Sequence, residues 1–213
     1  MKYGETLQQR SIPEWENYNV DYNDLKRLIK VRTTRGQGEA LSIPGHGNEA
    51  KALKAFEHEF YRELADQHQR VDLFVHSKAG EISRRLAHLD SQVGQLQQRY
   101  ALLQPGKIPV KRLERYSRAE AAAEKAGEEI KSLARFVGAQ KLAFVKILKK
   151  YRKWTGSPTL DSRFRTKVLD QPAAFSNRDF GSLLNQYTQI LAAVRAPFEP
   201  TQKWLGGAEA FCR

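Results

Sequence analysis

From Ala52 onward, apolar residues recur at steps of three and four: Leu53, Phe56, Phe60, Leu64, Val71, Phe74, Val75, Ile82, Leu86, Leu89, Val93, Leu96 and Tyr100. That spacing puts them on one stripe of a single long helix. One step of the stripe is polar, His68. About fifty residues at a rise of 1.5 Å make this helix roughly 70–75 Å long. Gly80 is its weakest interior point, and Pro105-Gly106 closes the region. A second stripe runs Leu113, Tyr116, Ala119, Ala123, Ile130, Leu133, Val137, Phe144, Val145 and Leu148, and predicts a helix from Val110 to Trp154. Gly156 and Pro158 stop it. Two long helices joined by a short Pro-Gly connection pack antiparallel. Neither covers its stripe alone, so a third partner is expected.

Both chain ends can supply that partner. Short helices are predicted at about Tyr3–Gln9 and Tyr22–Val31, separated by Ile12-Pro13-Glu14-Trp15, with Asp21 as N-cap of the second. Two more are predicted at Asp161–Leu169 and Asp179–Val194. No Asn-Gly or Asp-Gly hairpin turn and no long run of strict alternation argues for strands. The fold class is therefore all-α. Two long antiparallel helices form an elongated three-helix-type bundle, with a short N-terminal helical hairpin and two short C-terminal helices. One domain is expected over residues 1–197: the hairpin at about 1–31, a mobile loop rich in Gly, Thr and Ser at 33–48, and the bundle at 50–195. The tail at 198–213, with Trp204 and Phe211, is either a linker toward a further region or a segment that docks by its aromatics.

Charge changes the picture more than composition does. The 213 residues hold 36 Lys+Arg against 24 Asp+Glu, a formal net charge of +12. Such a chain attracts acidic partners: nucleic acid, anionic lipid or a phosphorylated small molecule. With 40% hydrophobic and 28% charged residues, a packed core is expected rather than disorder. The single cysteine, Cys212, excludes an intramolecular disulfide framework and a Cys-based zinc site. No apolar run is long enough for a membrane span, and Met-Lys-Tyr-Gly-Glu lacks the apolar region of a secretory signal. The cytoplasmic side of a membrane is the expected location.

The positive charge is concentrated. Lys141–Lys153 contains Lys141, Lys146, Lys149, Lys150, Arg152 and Lys153 and no acid. On a helix Lys146, Lys149, Lys150 and Lys153 are related by steps of three and four, forming one cationic patch. Like charges at those spacings repel by a few tenths of a kcal/mol per pair. Cations in a last helical turn complement the dipole by about 0.3–1 kcal/mol each. Six within thirteen residues exceed what that turn can use, which points to an anion. A second cluster comprises Lys2, Lys26, Arg27, Lys30 and Arg32. Tyr22, Lys26 and Lys30 follow one another at one-turn spacing, and a tyrosine hydroxyl beside two ammonium groups is a reasonable phosphate donor set. Taken alone, Tyr22 reads as a core or boundary aromatic.

These segments together resemble the SPX domain family, fungal members included. The opening Met-Lys-Tyr-Gly-Glu-x-Leu is similar to the family's Met-Lys-Phe-Gly start. Ile12-Pro-Glu-Trp followed by Asp21-Tyr22-x-x-Leu25-Lys26-x-Leu28-Ile29-Lys30 resembles its first helical hairpin. Lys146-Ile-Leu-Lys149-Lys150-x-x-Lys153 resembles the basic motif of its second long helix, and Phe164-x-x-Lys167-Val168-Leu169 its C-terminal segment. The resemblance covers about residues 1–195. It implies a sensor of phosphate status that binds inositol polyphosphates, such as inositol hexakisphosphate, or inositol pyrophosphates, and that regulates an attached effector domain or a protein partner. It further implies that Tyr22, Lys26 and Lys150 form the phosphate-binding cluster. Lys146, Lys149 and Lys153 would form the adjoining lysine surface, and Lys2 with the N-terminal amine would be able to touch the ligand. Lys30 is added from helical spacing. One departure stands out: the family commonly reads Lys-Lys-x-Asp-Lys where this chain has Arg152 in place of the acid.

Other function classes find less support. His58, His68, His76 and His88 are spaced too widely for one metal face, and Phe56-Glu57-His58-Glu59-Phe60 lacks the second histidine of His-Glu-x-x-His. Gly36-x-Gly38 lacks the third glycine and the strand of a dinucleotide loop. No nucleophile elbow or Walker lysine occurs, so no catalytic residue, metal or cofactor is expected in this chain. The basic helix end has no aromatic platforms for single-stranded nucleic acid. A basic helical adaptor for nucleic acid or a protein partner is the alternative, separable by competition with inositol hexakisphosphate.

Overall fold

The computed structural model describes residues 3–33, 47–100 and 110–196. Among them every regular element is helical. Helix α1 is Tyr3–Arg10, a 3₁₀ turn follows at Pro13–Tyr18, and α2 is Tyr22–Thr33. The long helices are α3, Gly47–Tyr100, and α4, Val110–Thr155. Helix α5, Thr159–Phe164, runs into a π-helical turn at Arg165–Leu169; a 3₁₀ turn at Phe175–Asn177 and α6, Gly181–Arg195, complete the chain order. Lys2, positions 34–46 of the expected loop, the Pro105-Gly106 connection and the 198–213 tail lie outside the described residues.

Helix α3 passes through Gly80 unbroken, because the residues around it, Ala79 and Ile82, are buried and hold the turn by packing. Gly156, at φ +73°, ends α4, donating its N–H to the Arg152 carbonyl at 3.0 Å. The chain divides into two compact units. The first comprises the described residues within Met1–Glu81 and Ile130–Phe180, the second those within Ile82–Glu129 and Gly181–Arg213.

In the first unit α3 and α4 are antiparallel. Phe60 stacks on Tyr151 at 5.2 Å, His68 lies 5.7 Å from Phe144, and Phe74 meets Phe136 edge-on at 5.1 Å. The partners on α4 step backward as α3 advances. Phe164 and Phe175 close the same aromatic cluster from the C-terminal side. The expected helix at Asp161–Leu169 is helical to its end, but it is α-helical only as far as Phe164 and π-helical from Arg165. Asp170 N–H reaches back to the Arg165 carbonyl, and Ser176 and Asn177 side chains cap the Leu169 carbonyl, so the last turn widens.

In the second unit α6 covers the stripes of α3 and α4. Gln97 donates to the Ala193 carbonyl at 3.1 Å, and Arg195 meets Glu120 at 2.6 Å and Glu124 at 2.8 Å. A Cβ on Gly127 would come within 2.7 Å of the Tyr187 ring, so the glycine permits this approach. Two readings need correction here. Helix α6 starts at Gly181 rather than Asp179, with Phe180 buried ahead of it. Leu113, read as a stripe residue, is 39% exposed, because it lies two turns before the Glu120 pairing at which α6 ends.

His68, the polar step in the α3 stripe, is buried among Phe144, Phe164 and Phe175. Burial lowers its pKa below the ordinary 6.5, partly offset by Asp72. A base with a depressed folded-state pKa favours folding in its neutral form. That contribution is complete above pH 6.5 and is lost as the pH falls from there toward the folded value. Urea midpoints should therefore drop as the buffer is acidified through this range, and His68→Phe should flatten the drop. An unchanged slope in the variant would assign the acid sensitivity elsewhere.

Candidate anion-binding surface

Helix α2 reaches the end of α4 because its apolar face, Leu25 and Ile29, is buried to 1% and 0% exposure. The preceding segment is pinned at several points. Trp15 packs edge-on against Phe74 and Phe136, while Tyr18 stacks on Phe74. Gln140 of α4, at 1% exposure, accepts from Val20 N–H at 2.9 Å and donates to Asn19 Oδ1 at 2.6 Å. Arg70 of α3 donates to the Asn19 carbonyl at 2.7 Å and to Asp21 at 2.9 Å. Asp21 occupies the N-cap position of α2, its carbonyl accepting from Leu25 N–H, while its carboxylate is engaged by Arg70 and Gln67. Arg32 ties the far end of α2 to Glu59 at 3.1 Å.

Helix α1 rests on α2 and α4. The Tyr3 hydroxyl donates to the Ala139 carbonyl at 3.1 Å, and the ring meets Tyr22 edge-on at 5.1 Å. Gly4 is buried where the Asn23 side chain leaves no room for a Cβ.

These contacts deliver Lys26 to Lys150. The Lys150 ammonium is held below the ordinary lysine range by partial burial, then by the charges of Lys26 and Lys153. Lys26 and Lys150 are half-buried, and Lys30, Lys146, Lys149 and Lys153 are exposed. Lys150 Nζ lies over the Trp154 ring, 5.4 Å from its centroid, a cation–π contact that restricts the side chain. Among the described residues no carboxylate pairs with Lys26, Lys30, Lys146, Lys149, Lys150 or Lys153. Their neighbours on α2 do pair, Arg27 with Asp24 and Arg32 with Glu59. The surface therefore keeps mutual repulsion that an anion would relieve.

The remaining sequence candidates fall in different places. Tyr22 is buried at 7% exposure, and desolvation raises its pKa. It also borders a cavity of about 490 Å³ that contains Glu16, Asp21 and Asp24, whose carboxylates would repel phosphate. Lys141 belongs to the basic run but not to the patch, because it binds the Ser176 carbonyl at 3.1 Å and Asn177 at 3.2 Å. Arg152 is exposed. Among the described residues no group of His, Cys, Asp and Glu is arranged to hold a metal, and no helix is long and apolar enough to cross a membrane.

Sequence reasoning missed Gln140, Asn19, Arg70 and Trp154. Gln140 had a signal: it stands at a stripe position between Val137 and Phe144, where a polar residue needs a partner. Gln140→Leu would strand the Val20 N–H and Asn19 Oδ1, an expected loss of about 1–3 kcal/mol. Hydrogen exchange should rise at residues 12–25 before it rises in the centre of α3. A uniform change across both would contradict the pinning role.

No protein-family model matches the chain. It is 27% identical over 168 residues to an SPX domain-containing membrane protein of Oryza sativa subsp. indica, covering 79% of this chain and 21% of that protein. It is 28% identical over 154 residues to an SPX domain-containing membrane protein of Arabidopsis thaliana, covering 72% and 19%. Against the ankyrin repeat protein nuc-2 of Neurospora crassa it is 26% identical over 203 residues, covering 92% and 18%. The chain thus spans about one fifth of the length of the curated relatives it matches. Its fold superposes with a TM-score of 0.63 and 22% identity on the SPX domain of glycerophosphodiester phosphodiesterase 1 from Chaetomium thermophilum, solved in complex with inositol hexakisphosphate. That match covers 91% of this chain and 99% of the other. Fold, motif order and sequence similarity agree in making the chain similar to SPX domains.

Proposed function

We propose that this domain binds an inositol polyphosphate or pyrophosphate on the surface formed by α2 and the end of α4, and that occupancy regulates an attached or partner protein according to phosphate status. Lys26 and Lys150 make up the proposed centre; Lys146, Lys149, Lys153 and Lys30 extend it, and Tyr22 and Lys2 are placed there by resemblance. The role is regulatory rather than catalytic, and the cytosolic side of a membrane is the proposed location. The observation that carries the proposal is the partly buried Lys150 ammonium, destabilised by Lys26 and Lys153 and unpaired with any described carboxylate. The inositol hexakisphosphate bound to the Chaetomium thermophilum domain supports the ligand class.

Several phosphates on one rigid ring engage several ammonium groups at once. A charge-assisted hydrogen bond nets roughly 1.5–3 kcal/mol when desolvated, and less at an exposed, screened site. A few such contacts reach micromolar affinity, about −8 kcal/mol. Free orthophosphate fills one subsite only. Calorimetric titration should give one-to-one, salt-sensitive binding of inositol hexakisphosphate and far weaker heat with orthophosphate. Equal affinity for the two would refute a multi-lysine site. An adaptor for nucleic acid would instead retain DNA in the presence of excess inositol hexakisphosphate.

A further inference from the structure

The second unit carries its own concentration of positive charge. Lys111, Arg112, Arg115 and Arg118 occupy the first turns of α4, and Arg99 the last turn of α3. A pocket of about 450 Å³ is lined, among the described residues, by Arg99, Lys111, Arg112 and Arg115. A second pocket, of about 340 Å³, shares Arg99 and Arg115 and adds Arg118 beside an apolar wall that includes Leu89, Leu96 and Ala119.

The helix dipole accounts for Arg99, in the last turn of α3, but not for the cations of α4. Cations complement a helix at its C-terminus and oppose it at its N-terminus. The first turn of α4 contains no acid. Glu114 offsets one cation only loosely, lying 3.7 Å from Arg118 with both side chains largely exposed. Arginine predominates, and its planar fork matches phosphate oxygens in pairs.

We propose that the pocket of Arg99, Lys111, Arg112 and Arg115 is a second anion site, which takes a group bearing clustered phosphates. The adjoining apolar wall fits such a group with a short hydrocarbon portion attached. Clustered phosphates occur both on soluble polyphosphates and on lipid headgroups, and the two sources are separable.

The test uses the full chain carrying Lys26→Ala, Lys30→Ala, Lys146→Ala, Lys149→Ala, Lys150→Ala and Lys153→Ala, so that the first surface does not contribute. Inorganic tripolyphosphate is titrated by calorimetry. Flotation is measured with phosphatidylcholine vesicles with and without phosphatidylinositol 4,5-bisphosphate. Binding to at least one probe is expected, and which one identifies the source. Adding Arg99→Gln and Arg115→Gln should weaken it by about tenfold with circular dichroism unchanged. Arg99→Lys with Arg115→Lys, which keeps the charge but loses the fork, should weaken it less and guards against a folding defect. Lys125→Gln, at an exposed cation of the same unit outside both pockets, should have no effect. Failure to bind either probe, or equal weakening by Lys125→Gln, would overturn the proposal. Because the background lacks all six of those lysines, either result is independent of the first surface.

Discussion

Lys26→Ala and Lys150→Ala are each expected to weaken inositol hexakisphosphate binding by about tenfold or more, with helical circular dichroism unchanged. Each removes one charge-assisted contact from a ligand held by several. The pair should also be non-additive. Lys26 lowers the Lys150 pKa, so each ammonium is more costly to keep when the other is present and more useful when an anion lies between them. Without ligand, Lys26→Ala should not lower the thermal midpoint, because it removes an unfavourable neighbour. Calorimetry on both single variants and the double variant provides the check. Unchanged affinity in both singles would remove these lysines from the site.

Ile29→Ala is expected to lose both stability and binding. Ile29 is fully buried on the apolar face of α2, which Lys26 and Lys30 flank. Truncating a buried isoleucine costs about 2–5 kcal/mol, depending on how far the cavity collapses. The charges stay, but their seat loosens. Urea unfolding should show the lower midpoint, and calorimetry should show weaker binding that partly recovers on cooling or with stabilising osmolyte. Lys26→Ala should show the opposite signature, with stability kept and binding lost. An Ile29→Ala protein that binds as tightly as the parent would mean that α2 does not position the surface.

The two long helices were legible because their stripes are long and regular, and because the interruptions, Gly80 and His68, are single positions that packing absorbs. The hairpin helices were legible from Pro13 and the spacing of Leu25 and Ile29. The lysine patch was legible from spacing alone. Its opposition by Lys26 came from the family resemblance and not from spacing, since two segments more than a hundred residues apart are brought together by tertiary contacts such as those of Gln140, Arg70 and Trp15. Lys141 was misleading for the same reason: its charge belongs to the run, while its partner, the Ser176 carbonyl, lies on a distant turn. Leu113 fits a helical period, yet the helix that would cover it stops short. Periodicity identifies a face but not the length of its cover.

The central claim is that Lys26 and Lys150 hold the same molecule. The most direct measurement follows the ammonium NMR signals of both lysines during a titration with inositol hexakisphosphate. The expected result is that both signals shift together with one midpoint, and that Lys150→Ala displaces the midpoint seen at Lys26. If one signal moves while the other stays fixed through saturation, the two lysines do not share a ligand.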